Sequence, residues 1–300
     1  MSSLAAPVPA EPAEGDPAPS LAALRAELDR LDDALHDGLM RRAEVVARIA
    51  ALRVKAGPPL RPGREAAILR RLLARHAGPL PRHGVVRVWR ELIAAMTEIQ
   101  RPLAVAVCVD KDGTGGDGAA LAREQFGALV ALRSHLTPAQ ALGEVASGAA
   151  AAAVLPMPTE EEAPARAWWT GLLHPGRDER RAYVVARLPF WAIRPEGAPR
   201  GQALVVSAVE PDPSGQDRTL LALELAPEGS RARLAQVLDR AGLEAGTVIL
   251  RRDPGVTRAL VDVAGFVAAD DPRLAALSPR PAVLGAYAVP VGAAPTGATP

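Results

Sequence analysis

Apolar residues in the first third of the chain recur at intervals of three and four, which is the spacing of an amphipathic helix. The pattern predicts one helix over residues 21–55, with Ser20 as its N-cap and the Gly-Pro-Pro run at 57–59 as its end. Such a helix is about 52 Å long and needs a partner to cover its apolar stripe. The stripe consists of Leu21, Leu24, Leu28, Leu31, Leu35, Val45, Ile49 and Leu52.

Two shorter helices are predicted over residues 64–76 and 81–100, and Pro102 ends the second of them. One long helix and two short ones do not easily close a core within a single chain. We therefore predict that this helical region forms an intertwined dimer. The apolar side assigned to the third helix consists of Val85, Val88, Trp89, Leu92, Ile93 and Met96.

Beyond Pro102 short apolar runs alternate with helical segments, a pattern typical of an α/β fold. Strands are predicted at 103–109, 150–156, 183–188 and 203–209, and helices at 119–126 and 138–147. From residue 219 the order becomes strand, helix, strand, strand, helix or turn, strand, which is the ferredoxin-like βαββαβ plan. Its strands are predicted at 219–226, 246–252, 258–267 and 282–291, and its first helix at 230–242.

The predicted fold class is therefore multidomain, α followed by α/β. We expect a disordered tail at residues 1–20, since this segment is rich in proline and acidic residues. A helical domain at 21–102 follows, then an α/β lobe at 103–210 and a βαββαβ module at 218–292.

Composition narrows the classes of function. The net charge of +1 argues against a strongly basic nucleic-acid-binding protein. The N-terminal segment lacks the basic start and apolar centre of a signal peptide, and no apolar run is long enough to span a membrane. We therefore expect a soluble, cytoplasmic protein. A single cysteine, Cys108, provides neither a disulfide framework nor a zinc site.

Arginines interrupt the stripe of the first predicted helix. Arg42 occupies a position where the spacing predicts a core residue. Arg53 is eleven residues further on, which places it about 20° from the same face and about 16 Å along the axis. Arg25 lies about 100° from Arg42 and would reach the same site only from a partner chain. Buried arginines need an anionic partner; alternatively, these arginines are solvated or paired with Asp29, Asp32 or Asp33.

Several motifs together resemble the all-helical chorismate mutases over about residues 21–102. Leu-Arg at 24–25 is followed by Leu-Asp at 31–32, and an Arg-Arg-x-Glu-Val-Val segment begins at Arg41. Arg-Glu opens the second predicted helix, and a glutamine closes the third. The resemblance implies a three-helix intertwined dimer that rearranges chorismate to prephenate, within phenylalanine and tyrosine biosynthesis.

The resemblance also implies a role for each matching residue. Arg25 would reach across the dimer, Arg42 would hold a substrate carboxylate, and Gln100 would lie near the ether oxygen of chorismate. The resulting catalytic set is Arg42, Arg53, Gln100 and Glu65, and the substrate-binding set is Arg25, Arg42 and Arg64. The reaction takes place within one molecule and needs no nucleophile, metal or cofactor. Holding the reactive conformer and stabilising charge on the ether oxygen are sufficient, and arginine forks suit the two carboxylates.

Three positions depart from the family pattern. Arg53 stands where the family usually has lysine, Arg61 where it often has an acid, and Met96 where it often has a small hydroxyl residue. Arginine and lysine are not interchangeable at a tight site, and methionine cannot donate to a carboxylate. The alternative function is therefore a catalytically weak or inactive regulatory protein that binds an amino acid and dimerises through its helical region.

The rest of the chain has weaker resemblances. Residues 103–190 resemble the first lobe of prephenate dehydratase, but the Thr-Arg-Phe motif of that family is absent and the interval is too short for a second lobe. Its Gly-rich loop, 110–118, is an anion site or an ordinary turn. Residues 219–292 resemble an ACT module, which implies an amino-acid effector. A bifunctional mutase–dehydratase is a third hypothesis, disfavoured by the missing motif.

Overall fold

The computed structural model describes residues 20–52, 57–109, 117–174 and 180–293. The chain divides into two compact units, one ending at Ala51 and the other beginning at Leu52. In the part of the chain described, the first unit is a single helix and the second contains all other helices and the sheet.

The first unit confirms the long predicted helix. Helix α1 spans Leu21–Ala51, and the Oγ of Ser20 accepts a hydrogen bond from the Ala23 amide at 3.2 Å. The predicted end, Lys55, lies outside the described residues. None of the 31 residues of α1 is buried. Its exposed large apolar side chains are Leu21, Leu24, Leu28, Leu31, Leu35, Leu39, Met40, Val45 and Ile49.

The two shorter helices are also confirmed, with small shifts in their bounds. Helix α2 spans Pro62–Arg75 and helix α3 spans Arg82–Gln100. Proline fits the first turn of α2 because the amide there has no partner within the helix. The apolar face of α2 packs against α3, against the end of β9 and against residues that follow β4. This small core consists of Ala66, Leu69, Leu73, Val86, Phe190, Trp191 and Ala288.

The predicted apolar side of α3 is wrong at Val88, whose exposed fraction is 57%. Val86 and Arg90 are buried instead. The reason is that α3 packs on helix α4, Gly118–Phe126, and this turns a neighbouring face of α3 inward. Because Arg90 lies within this buried face, the apolar spacing of the sequence did not identify it.

A mixed sheet forms the body of the second unit, and its nine described strands run in the order β2-β1-β3-β5-β4-β9-β6-β8-β7. The strands are β1 Ala104–Cys108, β2 Ala131–His135, β3 Ala152–Pro156, β4 Tyr183–Leu188, β5 Ala203–Ser207, β6 Asp217–Leu225, β7 Ala245–Asp253, β8 Val256–Ala264 and β9 Ala282–Ala288. The other helices are α5 Pro138–Ser147, α6 Arg231–Arg240 and α7 Pro272–Ala275, with 3-10 turns at Pro164–Arg166 and Trp168–Leu172.

The first half of the sheet has the predicted α/β character. Strands β2, β1 and β3 are parallel, and α4 and α5 make the crossovers between them. Strand β2 was not predicted. It is the edge strand, so its side chains are mostly exposed and show no apolar run.

The second half of the sheet confirms the ferredoxin-like plan. Strands β6 to β9 are arranged β9-β6-β8-β7, and each adjacent pair is antiparallel. In sequence order this is 4-1-3-2, the order that results when each half of βαββαβ crosses over the sheet. The helices cover one face, with a core that includes Leu221, Leu238, Leu243, Val261 and Leu274.

The two halves of the sheet meet at one close approach between β4 and β9. Val184 pairs with Gly285 in parallel register, and Gly285 has φ +143°. A Cβ at Gly285 would overlap the carbonyl oxygen and the amide of Val184. Glycine is therefore required here both by the backbone conformation and by the space available.

Substituting Gly285 by alanine is expected to destabilise the second unit by about 2–3 kcal/mol, because strain in φ adds to the overlap with β4. Gly143 of α5 is the matched control: it is exposed, and a Cβ there has no heavy atom within 4 Å. Gly143→Ala should leave the unfolding midpoint unchanged or raise it slightly. Urea titration followed by circular dichroism measures both, and equal midpoints would contradict the proposed role of the junction.

Candidate functional site

The structure distributes the predicted site residues over both units. Arg25 is exposed on α1, and Arg42 is half-buried on the same helix. Arg53 lies outside the described residues. The alignment of Arg42 with Arg53 on one helical face therefore stays a prediction.

The other predicted residues lie in the second unit. Arg64 and Glu65 occupy the first turn of α2, whereas Gln100 is the last residue of α3. Arg64 is exposed, and the half-buried Gln100 donates through Nε2 to the Met96 carbonyl at 3.4 Å.

The first turn of α2 is held by a loop that precedes β6. Asp212 accepts hydrogen bonds from the amides of Gly63 (to Oδ1) and Arg64 (to Oδ2), both at 3.1 Å. These amides have no partner within the helix, and a carboxylate at this end is also favoured by the helix dipole. The contact is tight, since a Cβ at Gly63 would overlap the carbonyl oxygen of Asp212.

About two turns further along α2, Arg70 ties the helix to the same loop and to the residue that follows β9. Its Nη1 donates to the Ser214 hydroxyl at 2.8 Å. Its Nη2 donates to the carbonyl oxygens of Gln216 at 3.0 Å and Val289 at 2.6 Å. The backbone that carries Arg64 and Glu65 is therefore positioned by residues far away in the sequence.

Glu65 forms a buried ion pair with Arg90 of α3. The Arg90 Nη1 lies 2.8 Å from Glu65 Oε2, and the side chains are 4% and 13% exposed respectively. Burial raises the pKa of the Glu65 carboxyl, and the Arg90 cation opposes that rise. The Arg90 guanidinium also lies 5.0 Å from the centroid of the Phe190 ring. Glu65 is thus directed toward α3, and its contact on α3 lies about 15 Å along the axis from Gln100.

Two of the departures from the family pattern also lie around this helix pair. Arg61 is the N-cap residue of α2 and makes no side-chain cap. Met96 is buried in α3, with an exposed fraction of 7%.

Arg90 was not identified from the sequence. The available signal was its spacing from Val86, Ile93 and Thr97, which are all buried on the same face. A cavity of about 490 Å³ opens beside Arg90, between α3, α4 and the loop after β4. Within the described ranges, no group of three or more His, Cys, Asp or Glu residues is arranged to hold a metal ion.

A second buried polar cluster lies near the junction of the two sheet halves. The Tyr287 hydroxyl donates to Asp262 Oδ2 at 2.7 Å, and Arg218 Nε donates to Oδ1 at 2.7 Å. Burial raises the pKa of both Asp262 and Tyr287. All three side chains are on strands of the βαββαβ module. The hydrogen bonds from Arg218 and Tyr287 give both carboxylate oxygens of the buried Asp262 a partner.

Comparison with known proteins identifies the N-terminal part of the chain. Residues 24–101 match the family model described as chorismate mutase type II. Two curated relatives are named bifunctional chorismate mutase/prephenate dehydratase. The protein from Stutzerimonas stutzeri is 29% identical over 151 residues, covering 48% of this chain and 40% of the relative. The protein from Pseudomonas aeruginosa is 32% identical over 148 residues, covering 47% and 40%. The chain thus matches about two fifths of the length of these relatives.

Solved structures of prephenate dehydratases are more distant. The enzyme from Streptococcus mutans gives a TM-score of 0.44 at 14% identity, covering 62% of this chain and 97% of that one. The enzyme from Arthrobacter aurescens in complex with L-Phe gives 0.44 at 16% identity, covering 62% and 90%.

The N-terminal part of the chain is therefore a chorismate mutase type II domain, as the motifs predicted, and the helices and strands after it form a large α/β sheet region. Among the helices described, none is both long and apolar enough to cross a membrane.

Glu65→Gln is expected to destabilise the protein by about 3–5 kcal/mol, because it leaves the Arg90 cation buried without a counter-charge. The double variant Glu65→Gln/Arg90→Gln should recover part of this loss, and the difference measures the coupling of the pair. Glu144→Gln is the control, since Glu144 pairs with a half-exposed Arg133 at a similar 2.7 Å; its expected cost is about 0–1 kcal/mol. Equal losses for the two single variants, by urea unfolding, would contradict the assigned burial of the pair.

Proposed function

We propose that this protein is a chorismate mutase that converts chorismate to prephenate in aromatic amino-acid biosynthesis. The observation that carries the proposal is the family match over residues 24–101, which includes arginines at 25, 42 and 64 and the glutamine at 100. We propose that the functional domain spans residues 21–102.

The residue types suit the chemistry of the reaction. Chorismate carries two carboxylates, and its rearrangement breaks an ether bond and forms a carbon–carbon bond within one molecule. Arg42 and Arg64 provide planar forks that bind carboxylates with two parallel hydrogen bonds. Arg53 and Gln100 provide a cation and an amide donor for the ether oxygen, where negative charge develops. Glu65, already neutralised by Arg90, keeps a second acceptor edge for a substrate hydroxyl.

A second copy of the chain is the proposed cover for the stripe on α1. All residues of this helix, about 46 Å long, are at least partly exposed, and its leucines lie on one face. A dimer paired along that face buries the stripe, and it also permits an arginine about 100° away, Arg25, to reach the active site of the other chain.

The second candidate function is an amino-acid-binding regulatory protein without catalytic activity. The confirmed βαββαβ topology of the last four strands and the buried Met96 favour it, since this residue cannot donate a hydrogen bond to substrate. An ACT-like role for the module, with an amino-acid effector, is part of this candidate. The assay for chorismate turnover separates the two functions.

Arg42→Ala is expected to lower kcat/KM for chorismate by at least about 10²-fold, since it removes a charged donor from the site. Purified protein is assayed by the loss of chorismate absorbance, with prephenate and phenylpyruvate measured as products. Arg30→Ala is the control, because Arg30 is an exposed arginine of the same helix outside the proposed site. Full activity in Arg42→Ala would refute the site, and an inactive unmodified protein would favour the regulatory function.

Leu28→Glu is expected to shift the protein from dimer to monomer, since it places a charge within the apolar stripe of α1. Ala26→Glu carries the same charge about 200° away on the helix and should leave the dimer intact. Sedimentation velocity at micromolar concentration distinguishes the species. A monomeric unmodified protein would rule out the proposed assembly.

A further inference from the structure

The cavity beside Arg90 has the size and walls of a small-molecule site. Its volume of about 490 Å³ lies within the range of roughly 300–1,000 Å³ typical of ligand pockets. Phe190 and Trp191, only 6% and 9% exposed, line the cavity, and Leu121 of α4 lines it as well. Aromatic rings in such walls favour ligands with a flat apolar body.

The wall is fixed before any ligand enters. Arg194, in the loop that follows β4, forms a two-pronged pair with Glu124 of α4, with distances of 2.8 and 2.7 Å. Its Nε donates to the Pro199 carbonyl at 2.9 Å, and Nη1 also donates to the Trp191 carbonyl at 3.0 Å. The largely enclosed guanidinium of Arg194 thus joins two parts of the loop to α4, and a preformed site loses less entropy on binding.

The acidic residues around the cavity are mostly engaged by the protein. Both carboxylate oxygens of Glu124 accept hydrogen bonds from Arg194, and Glu65 is paired with Arg90. Glu91 accepts a hydrogen bond from the Ala128 amide at 3.0 Å. Glu196, exposed at the rim, is the exception.

Several basic residues around the cavity have hydrogen-bond donors without a partner in the described ranges. Arg90 is 4% exposed and lines the cavity, yet across the described residues only its Nη1 makes a hydrogen bond. Arg87 and His83, one and two turns earlier on α3, are exposed at the rim and have no hydrogen-bond partner in the described ranges. Among the described residues that line the cavity, the groups with unused hydrogen-bonding capacity therefore include the guanidinium groups of Arg90 and Arg87, together with the neutral Gln125 side chain and the Glu196 carboxylate at the rim.

We propose that this cavity binds a small aromatic carboxylate. The carboxylate accepts hydrogen bonds from the Arg90 nitrogens that do not bond to Glu65, assisted by Arg87, and the ring packs against the apolar lining residues Leu121, Phe190 and Trp191. A buried guanidinium that retains free donors gains most from an anionic acceptor, because charge-assisted hydrogen bonds are strong and shielded from water there. Binding at this cavity does not require chorismate turnover, although Arg90 also pairs with Glu65, a residue of the proposed mutase site.

Isothermal titration of the full chain with 3-phenylpropionate tests the proposal, with 3-phenylpropionamide as a neutral probe of the same shape. We expect saturable binding of one carboxylate per chain, and at least about tenfold weaker binding of the amide, the size of one charge-assisted hydrogen bond. Absence of binding, or equal affinity for the two probes, would overturn the proposal.

Variants locate the site. Glu65→Gln/Arg90→Gln removes the anchoring cation and its partner together and should weaken carboxylate binding about 10- to 100-fold. Ala120→Trp, at an exposed position of α4 on the cavity rim, fills the cavity without disturbing the ion pair and should also abolish binding. Arg71→Gln, at an exposed arginine of α2 outside the cavity, should bind as the unmodified protein does. Unchanged affinity in Ala120→Trp would place the ligand elsewhere and refute the site, whether or not the protein turns over chorismate.

Discussion

The buried ion pair between Glu65 and Arg90 is the constraint around which the second unit is arranged. Two charges removed from water are stable only if they neutralise each other at short distance, and here 2.8 Å separates Nη1 from Oε2. Their burial requires α2 and α3 to lie side by side, and it requires a low-polarity cover. Phe190 provides that cover with its ring face toward the guanidinium, and Phe190 is itself fixed by the end of β4. The pair therefore couples the helical segment to the sheet.

That coupling has a consequence for the mutase domain. The family match ends at residue 101. The first turn of α2 is nevertheless capped by Asp212 of the loop before β6, and Arg70 of α2 bonds to Ser214 of the same loop. The strand that this loop begins is the first strand of the ferredoxin-like module. Two helices of the mutase domain thus depend for their position on residues more than a hundred positions away, and removing the C-terminal region would expose their apolar face and leave the α2 amides without acceptors.

The fold was largely predictable from the sequence wherever burial produced a regular pattern. The three helices were predicted from apolar residues spaced by three and four, and the strands β1, β3 and β5 and the βαββαβ order from short apolar runs. Strand β2 escaped prediction because an edge strand buries little and alternates weakly. The inward face of α3 was assigned wrongly because Arg90 occupies its centre, and apolar periodicity cannot recognise a buried cation. The cap at Asp212 was equally hidden, since no local rule connects residues 63 and 212.

The two proposals meet at Arg90. This side chain pairs with Glu65, a residue proposed to contact chorismate, and it also lines the cavity proposed to bind an aromatic carboxylate. In this proposal, a carboxylate bound in the cavity shares the guanidinium with Glu65 and weakens the Arg90–Glu65 ion pair. Because binding free energies are linked, any such effect on chorismate affinity is matched by an equal effect of chorismate on the second ligand. The two proposals together therefore imply that Arg90 couples the cavity to Glu65 through one shared guanidinium, without requiring a change in fold.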